Sequence, residues 1–141
     1  MTIRKAEANW RGSLREGAGE LALESGAFRG PYTFRARFEQ GAETNPEELL
    51  GAAHAGCFTM AMTAMLARQQ LAPTEIRTTA AVHLVQDKNG VSIPRIELTT
   101  RARIPGLDAE RFAALADDAK RNCPVSKALA GVEITLDAKL E

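Results

Sequence analysis

The sequence predicts an α+β fold, with strands and helices set out in blocks and no wound parallel sheet. Three observations carry this. One long, well-capped helix stands near the middle of the chain, strand patterns separated by glycine-bearing turns precede it, and a hairpin followed by two short helices and a closing strand comes after it. The predicted order is βββ-α-ββ-αα-β. At 141 residues, 45% apolar and 26% charged, the chain has the size and balance of a single soluble globular domain spanning 1–141.

The first strand is expected near Thr2 to Trp10, followed by the turn RGSLREGAG and a second strand through Glu20 to Glu24. A third is expected over Tyr32 to Glu39, where Tyr32, Phe34, Ala36 and Phe38 alternate with Thr33, Arg35 and Arg37. Asn45 then suits an N-cap and Pro46 the first helical position, and Glu48 completes the cap-x-x-Glu spacing of a capping box. That helix should run to about Gln70, before Pro73, a length of roughly 35 Å. Its middle, Leu49 to Ala67, carries no charge, so it must be covered on every side, which one chain of this size can hardly do. The nineteen uncharged residues hold six alanines, two glycines and a histidine against three leucines, which is too weakly lipophilic for a membrane span.

Beyond the helix, Glu75 to Gln86 and Val91 to Ile104 read as a hairpin closed by DKNG, with Asn89-Gly90 suiting a primed turn and Pro94 favouring an edge or a bulge. Asp108 should cap a helix to Arg121 whose inward stripe is Phe112, Leu115, Ala116 and Ala119. Cys123 and Pro124 open a short helix to about Ala130. A closing strand follows, with Val132, Ile134, Leu136 and Leu140 on one side.

Charge excludes some functions. Eighteen basic and eighteen acidic side chains cancel without a run of either sign, leaving no electrostatic footprint for nucleic acid or an anionic membrane. The N-terminal MTIRKAEANW has no apolar signal-peptide core, so a cytoplasmic location is expected. In that reducing compartment a cysteine pair points to catalysis, redox sensing or metal rather than to a permanent disulfide.

The two cysteines, 66 positions apart, lie in unlike settings. Cys57 sits within the apolar helix, where burial raises a thiol pKa, and even an unperturbed thiol is only about 3% thiolate at pH 7. It therefore needs a cation, for which Arg15, Arg35 and Arg37 are candidates. His54, three residues earlier on the same helix face, is either satisfied by a local acceptor or serves as a base. Cys123 stands at a helix start flanked by Lys120, Arg121 and Lys127, which favours its thiolate. Glu47 and Glu48 can serve as first-turn capping acids. A metal site from His54, His83, Cys57 and Cys123 would have one close ligand pair and no second, so neither metal nor cofactor is expected.

TNPEELLGAAHAGCFTMAM, followed 66 residues after its cysteine by CPVSKAL, resembles the OsmC family of thiol-dependent peroxidases, sister to the organic hydroperoxide resistance proteins. The likeness extends through the opening MTI, ANWRG, ESG, PYTFRARFE and IPGLDAERF to the closing EITLDAKL. The resemblance implies an OsmC-like fold: an intertwined homodimer, long central helices wrapped by mixed sheets, and an active site at the subunit interface. It implies Cys57 as peroxidatic cysteine, Cys123 as resolving cysteine and Glu47 as acidic partner of the activating arginine. Arg37 matches the arginine of the OsmC branch and Arg15 that of the sister branch; HAGCF favours the former, leaving Arg15 second.

The chemistry so implied reduces an organic hydroperoxide through a Cys57 sulfenic acid and a Cys57–Cys123 disulfide, as part of a response to oxidative or osmotic stress. A dithiol, of lipoyl type in related members, would reopen the disulfide. Phe34, Phe38, Leu49, Phe58 and Met60 are candidates to line an apolar approach. The alternative is a ligand-binding or interaction domain of the same fold with idle cysteines.

Overall fold

Ten elements succeed one another in the computed structural model, which describes every residue from Met1 to Glu141: β1 (Ala6–Arg11), β2 (Ala18–Leu23), β3 (Arg29–Tyr32), α1 (Phe34–Phe38), α2 (Pro46–Arg68), β4 (Glu75–Asp87), β5 (Gly90–Arg103), α3 (Ala109–Asn122), α4 (Pro124–Ala128) and β6 (Glu133–Leu140). The α+β class is as expected. The chain divides into two compact units, Met1–Leu49 and Leu50–Glu141, with α2 beginning in the first and continuing through the second.

In the first unit β1, β2 and β3 form an antiparallel meander. Gly19 on the middle strand is paired with Trp10 on one side and Tyr32 on the other, and those rings meet edge to face at 5.4 Å. A Cβ at Gly19 would lie 2.4 Å from the Tyr32 ring, so glycine is what lets the aromatic pair close over the strand.

The strand expected over Tyr32 to Glu39 is replaced by the end of β3 and a helical turn. Thr33 caps α1, its hydroxyl accepting from the Ala36 amide at 3.1 Å, and Phe34 and Phe38, one turn apart, bring their rings to 4.9 Å. Positions 34 and 38 share a face in a strand and in a helix alike. Asn45 fastens α1 to the start of α2: its side-chain amide donates to Ala36 O at 3.0 Å, while its Oδ1 accepts from the Glu48 amide at 2.8 Å, the predicted cap. The Glu48 carboxylate accepts from the Thr44 hydroxyl.

The second unit is a β4-β5-β6 sheet bearing helices. β4 and β5 are antiparallel and β5 and β6 parallel, so this sheet is mixed as expected, whereas the first is purely antiparallel. Alternate β5 residues Ile96, Leu98, Thr100 and Ala102 are buried. Against them lie Phe58, Met62 and Leu66 of α2 and the stripe Phe112, Leu115, Ala116 and Ala119 of α3, the four positions expected. Each large side chain so buried contributes about 2 kcal/mol of transfer free energy.

Three junctions differ in detail from expectation. Asp87 pairs with Gly90 across the two-residue loop Lys88–Asn89, neither of which has positive φ, and the positive φ falls on Gly90 at 114°; the hairpin thus does not close with a primed turn on Asn89-Gly90. Pro94 lies opposite the register shift between His83 and Val85 and before β6 pairing begins at Arg95, where no ladder hydrogen bond is lost. α2 stops at Arg68, two residues early. Leu71 N bonds Leu66 O and Gln70 N bonds Ala67 O, with Gln70 left-handed at φ 59°, the hydrogen-bond pattern of a Schellman stop.

By length and composition α2 would pass for a membrane span, yet one stripe of it, Phe58, Met62 and Leu66, is core. Its opposite face, with Ala52, Ala53, Gly56, Met60 and Ala64, is exposed in the single chain.

Candidate active site

The second unit holds both cysteines. α2 carries Cys57, half-buried, one turn beyond His54, and the α3–α4 junction carries Cys123, 1% exposed. Cys123 adopts an extended conformation (φ −62°, ψ 142°) as N-cap of α4, because Pro124 at the first position of that helix forces its predecessor out of helical geometry. Its sulfur accepts from the Ser126 amide at 3.4 Å. The preceding amide, Val125, donates to Cys57 Sγ at 3.5 Å, so the two thiols, both free, are presented to successive N–H groups of one turn.

Burial is the largest influence on the Cys57 thiol and pushes its pKa above the ordinary value. The Val125 N–H opposes this, while a hydrogen bond and charge repulsion from Cys123 add to it. None of these is a cation, so within these surroundings Cys57 rests as the thiol.

His54 is fully buried, with Nε2 2.8 Å from Ser126 Oγ and Nδ1 without a hydrogen-bond partner. Burial lowers its pKa and keeps the ring neutral. No local acceptor satisfies the ring: its one partner, Ser126, is 72 residues away. Ser126, 5% exposed, is a residue beside the thiols that sequence reasoning passed over. Its signal lies in CPVS: three residues after an N-cap is where a capping box places its second polar side chain, and Cys123 Sγ here donates to Ser126 Oγ at 3.1 Å.

The first unit holds the arginines. Arg37 directs Nε and Nη2 at Glu47 Oε1, at 3.0 and 2.9 Å, and Glu47 is only 7% exposed. Helicity of α1 makes this pairing, since a strand would place Arg37 among alternating side chains instead. Glu47 Oε2 is buried without a partner. Arg37 also lies over the Phe38 ring at 5.4 Å and Arg15 over the Phe34 ring at 4.7 Å, so both candidate arginines stack on one aromatic pair. Glu47 is held by Arg37, not Arg15. It is a paired acid rather than a mere helix-start charge.

The remaining candidates are dispersed. His83 bonds Glu97 at 2.6 Å across the β4–β5 pair, and no three metal-ligating side chains gather. Phe58, considered for an apolar approach, is fully buried core; Met60, 76% exposed, and the half-buried Phe34, Phe38 and Leu49 retain access.

Two free thiols brought together by a central helix and a helix cap, on an α+β scaffold, place the chain among dithiol redox proteins. It belongs to the OsmC-like family: the profile described as "OsmC-like protein" matches residues 39–137. The chain is similar to Peroxiredoxin OsmC of Escherichia coli strain K12, 46% identical over 143 aligned residues that span all of this chain and 99% of that one. An organic hydroperoxide resistance protein of Xanthomonas axonopodis pv. citri is 38% identical over 98 residues, 68% of this chain and 67% of the other. Among solved structures, an organic hydroperoxide resistance protein OsmC from Legionella pneumophila superposes with a TM-score of 0.74 at 25% identity, covering 99% of each chain.

Proposed function

We propose that the protein is a thiol-dependent peroxidase that reduces organic hydroperoxides in the defence against oxidative stress. Membership of the family and full-length similarity to a peroxiredoxin support the activity. The observation that carries the chemistry is the meeting of Cys57 and Cys123 at one helical turn, the first accessible and the second sealed. Cys57 thiolate attacks the distal peroxide oxygen and the O–O bond breaks. The alkoxide leaves as alcohol with a proton, and Cys57 becomes sulfenic acid. Cys123 then displaces water from it to form the disulfide. A dithiol of lipoyl type reopens the disulfide by exchange.

The activating cation is Arg37, oriented by Glu47, and it is delivered by a partner chain in an obligate homodimer. Two features support the dimer. The apolar and small-residue face of α2 is exposed in the single chain, and the first unit buries no apolar side chain larger than alanine. In the dimer, residues 1–141 act as one catalytic domain in the cytoplasm. The aromatic pair Phe34–Phe38 beside Arg37 favours an alkyl or lipid substituent over hydrogen peroxide itself.

The deciding experiment is turnover of an alkyl hydroperoxide with dihydrolipoamide as reductant, repeated with Cys57→Ser. Consumption that survives the substitution, or is absent from the native chain, defeats the proposal.

A further inference from the structure

Behind Cys123 runs a line of buried side chains that the peroxidase chemistry has not used. Cys123 Sγ donates to Ser126 Oγ at 3.1 Å, and Ser126 Oγ lies 2.8 Å from His54 Nε2. The three residues are 1%, 5% and 0% exposed. A serine hydroxyl has one hydrogen. With the thiol hydrogen pointing at Oγ, the hydroxyl's own hydrogen can reach Nε2 in the tautomer that carries its ring proton on Nδ1, and in that tautomer the line runs from thiol to hydroxyl to imidazole. An apolar trio would fill the same space without burying a ring nitrogen that finds no partner, so packing alone does not account for it.

We infer that Ser126 and His54 form a proton relay serving Cys123 in the second chemical step, the attack on the Cys57 sulfenic acid. The inference rests on the peroxidase reading above. As Cys123 gives its proton to Ser126 Oγ, Ser126 passes its own to His54 Nε2. The freed sulfur lone pair bonds the Cys57 sulfur, the Cys57 S–O bond breaks, and hydroxide departs as water after taking a proton. The imidazolium then releases the relayed proton. In sum, sulfenic acid plus thiol gives disulfide plus water, with the sulfenic acid as oxidant. Ser126 touches the reacting sulfur and is catalytic; His54 acts through it and is a positioning residue.

The surroundings suit this role. Burial alone lowers the His54 pKa, which keeps the ring neutral at rest, with a nitrogen lone pair available and the imidazolium only transient. The titratable groups along the line are Cys123 and, beside it, Cys57. The relay does not address Cys57 itself, whose sulfur receives the Val125 amide instead.

The test uses the full, reduced chain and one equivalent of tert-butyl hydroperoxide, with sulfenic acid trapped by dimedone and disulfide scored after rapid alkylation, from pH 6 to pH 9. The readout is the rate of disulfide formation relative to sulfenic acid formation in the same protein. Ser126→Ala and His54→Gln should lower that ratio about a hundredfold at pH 7, with the deficit closing as pH rises and the thiol ionises unaided. Ser126→Thr, which keeps the hydroxyl, should restore it. Disulfide formation that keeps pace in Ser126→Ala at every pH overturns the relay, as does failure of Ser126→Thr to restore it in a natively folded chain. Absence of sulfenic acid in the native chain would sink the peroxidase reading instead. The relay is then judged on Cys123 alone, in the Cys57→Ser chain, by its reaction with methyl methanethiosulfonate. Slower reaction at pH 7 on adding Ser126→Ala supports the relay, and equal rates overturn it.

Discussion

The two units of the chain bury themselves on different terms. From Leu50 onward, Phe58, Met62, Leu66, Ile96, Leu98 and Phe112 anchor one apolar cluster, whereas Met1–Leu49 buries Ala22 and Ala36 and no larger apolar side chain. Function divides along the same line. The self-sufficient unit carries both thiols, and the unit without a core carries the Arg37–Glu47 pair. With the proposed activating cation on the unit that lacks a core, activity would depend on assembly, so the chemistry of the second unit and the docking of the first can be tested separately.

The largest effect should come from the thiols. Cys57→Ser is expected to reduce peroxide consumption by about three orders of magnitude or more, as for loss of a nucleophile. Cys123→Ser should complete one turnover and then stall, with mass spectrometry finding sulfenic or overoxidised Cys57. A first oxidation on Cys123 would reverse the two roles. Next in size, and directed at the first unit, is complementation. Chains with Cys57→Ser and chains with Glu47→Ala, each impaired alone, should regain about a quarter of native activity when unfolded and refolded together, since half of random two-fold dimers are mixed and each keeps one intact site. No recovery would place the whole site within one chain.

A smaller effect concerns the cation itself. Arg37→Ala should lower the thiolate fraction of Cys57 at pH 7 about tenfold, read as lost absorbance of the thiolate near 240 nm. A larger loss in Arg15→Ala would move the role to the arginine that shares its aromatic support.

Most of the second unit could be read in the sequence because its signals do not compete. Asp108 caps α3, whose stripe recurs over about two turns, and Pro124 fixes the start of α4. The first unit resisted. Five residues are too few for a period to declare itself, and Phe34, Ala36 and Phe38 satisfy strand alternation while Thr33, one residue earlier, supplies the cap that makes them helical. Of the site, Cys57, Cys123 and the Arg37–Glu47 pairing were legible through their motifs. The Ser126–His54 contact was not, because no local pattern links the first turn of α4 to a helix residue 72 positions earlier.

The smallest predicted effect is on stability and needs no peroxide. His54 is held neutral by burial, with its folded pKa below the ordinary 6.5. The unfolded chain thus takes up a proton there more readily, and this contribution to stability is complete above pH 6.5 and lost as pH falls towards the folded value. Urea unfolding at pH 5, 6 and 7 should show that decline in the native chain and a shallower one in His54→Gln. Parallel slopes would mean that His54 does not titrate on unfolding.

Thr59 of α2, Thr78 of β4 and Thr100 of β5 are joined hydroxyl to hydroxyl at 2.8 and 3.0 Å, in the middle of surroundings that are otherwise apolar. Because neighbouring strand residues point to opposite faces, a one-residue slip of β4 would turn all its side chains over, bring Arg77 or Thr79 opposite Thr100 and break the Thr59–Thr78–Thr100 line. The threonines act as a vernier between helix and sheet. They fix the height at which α2 is read against its neighbours, and with it the height of the residue two positions before Thr59, the proposed nucleophile.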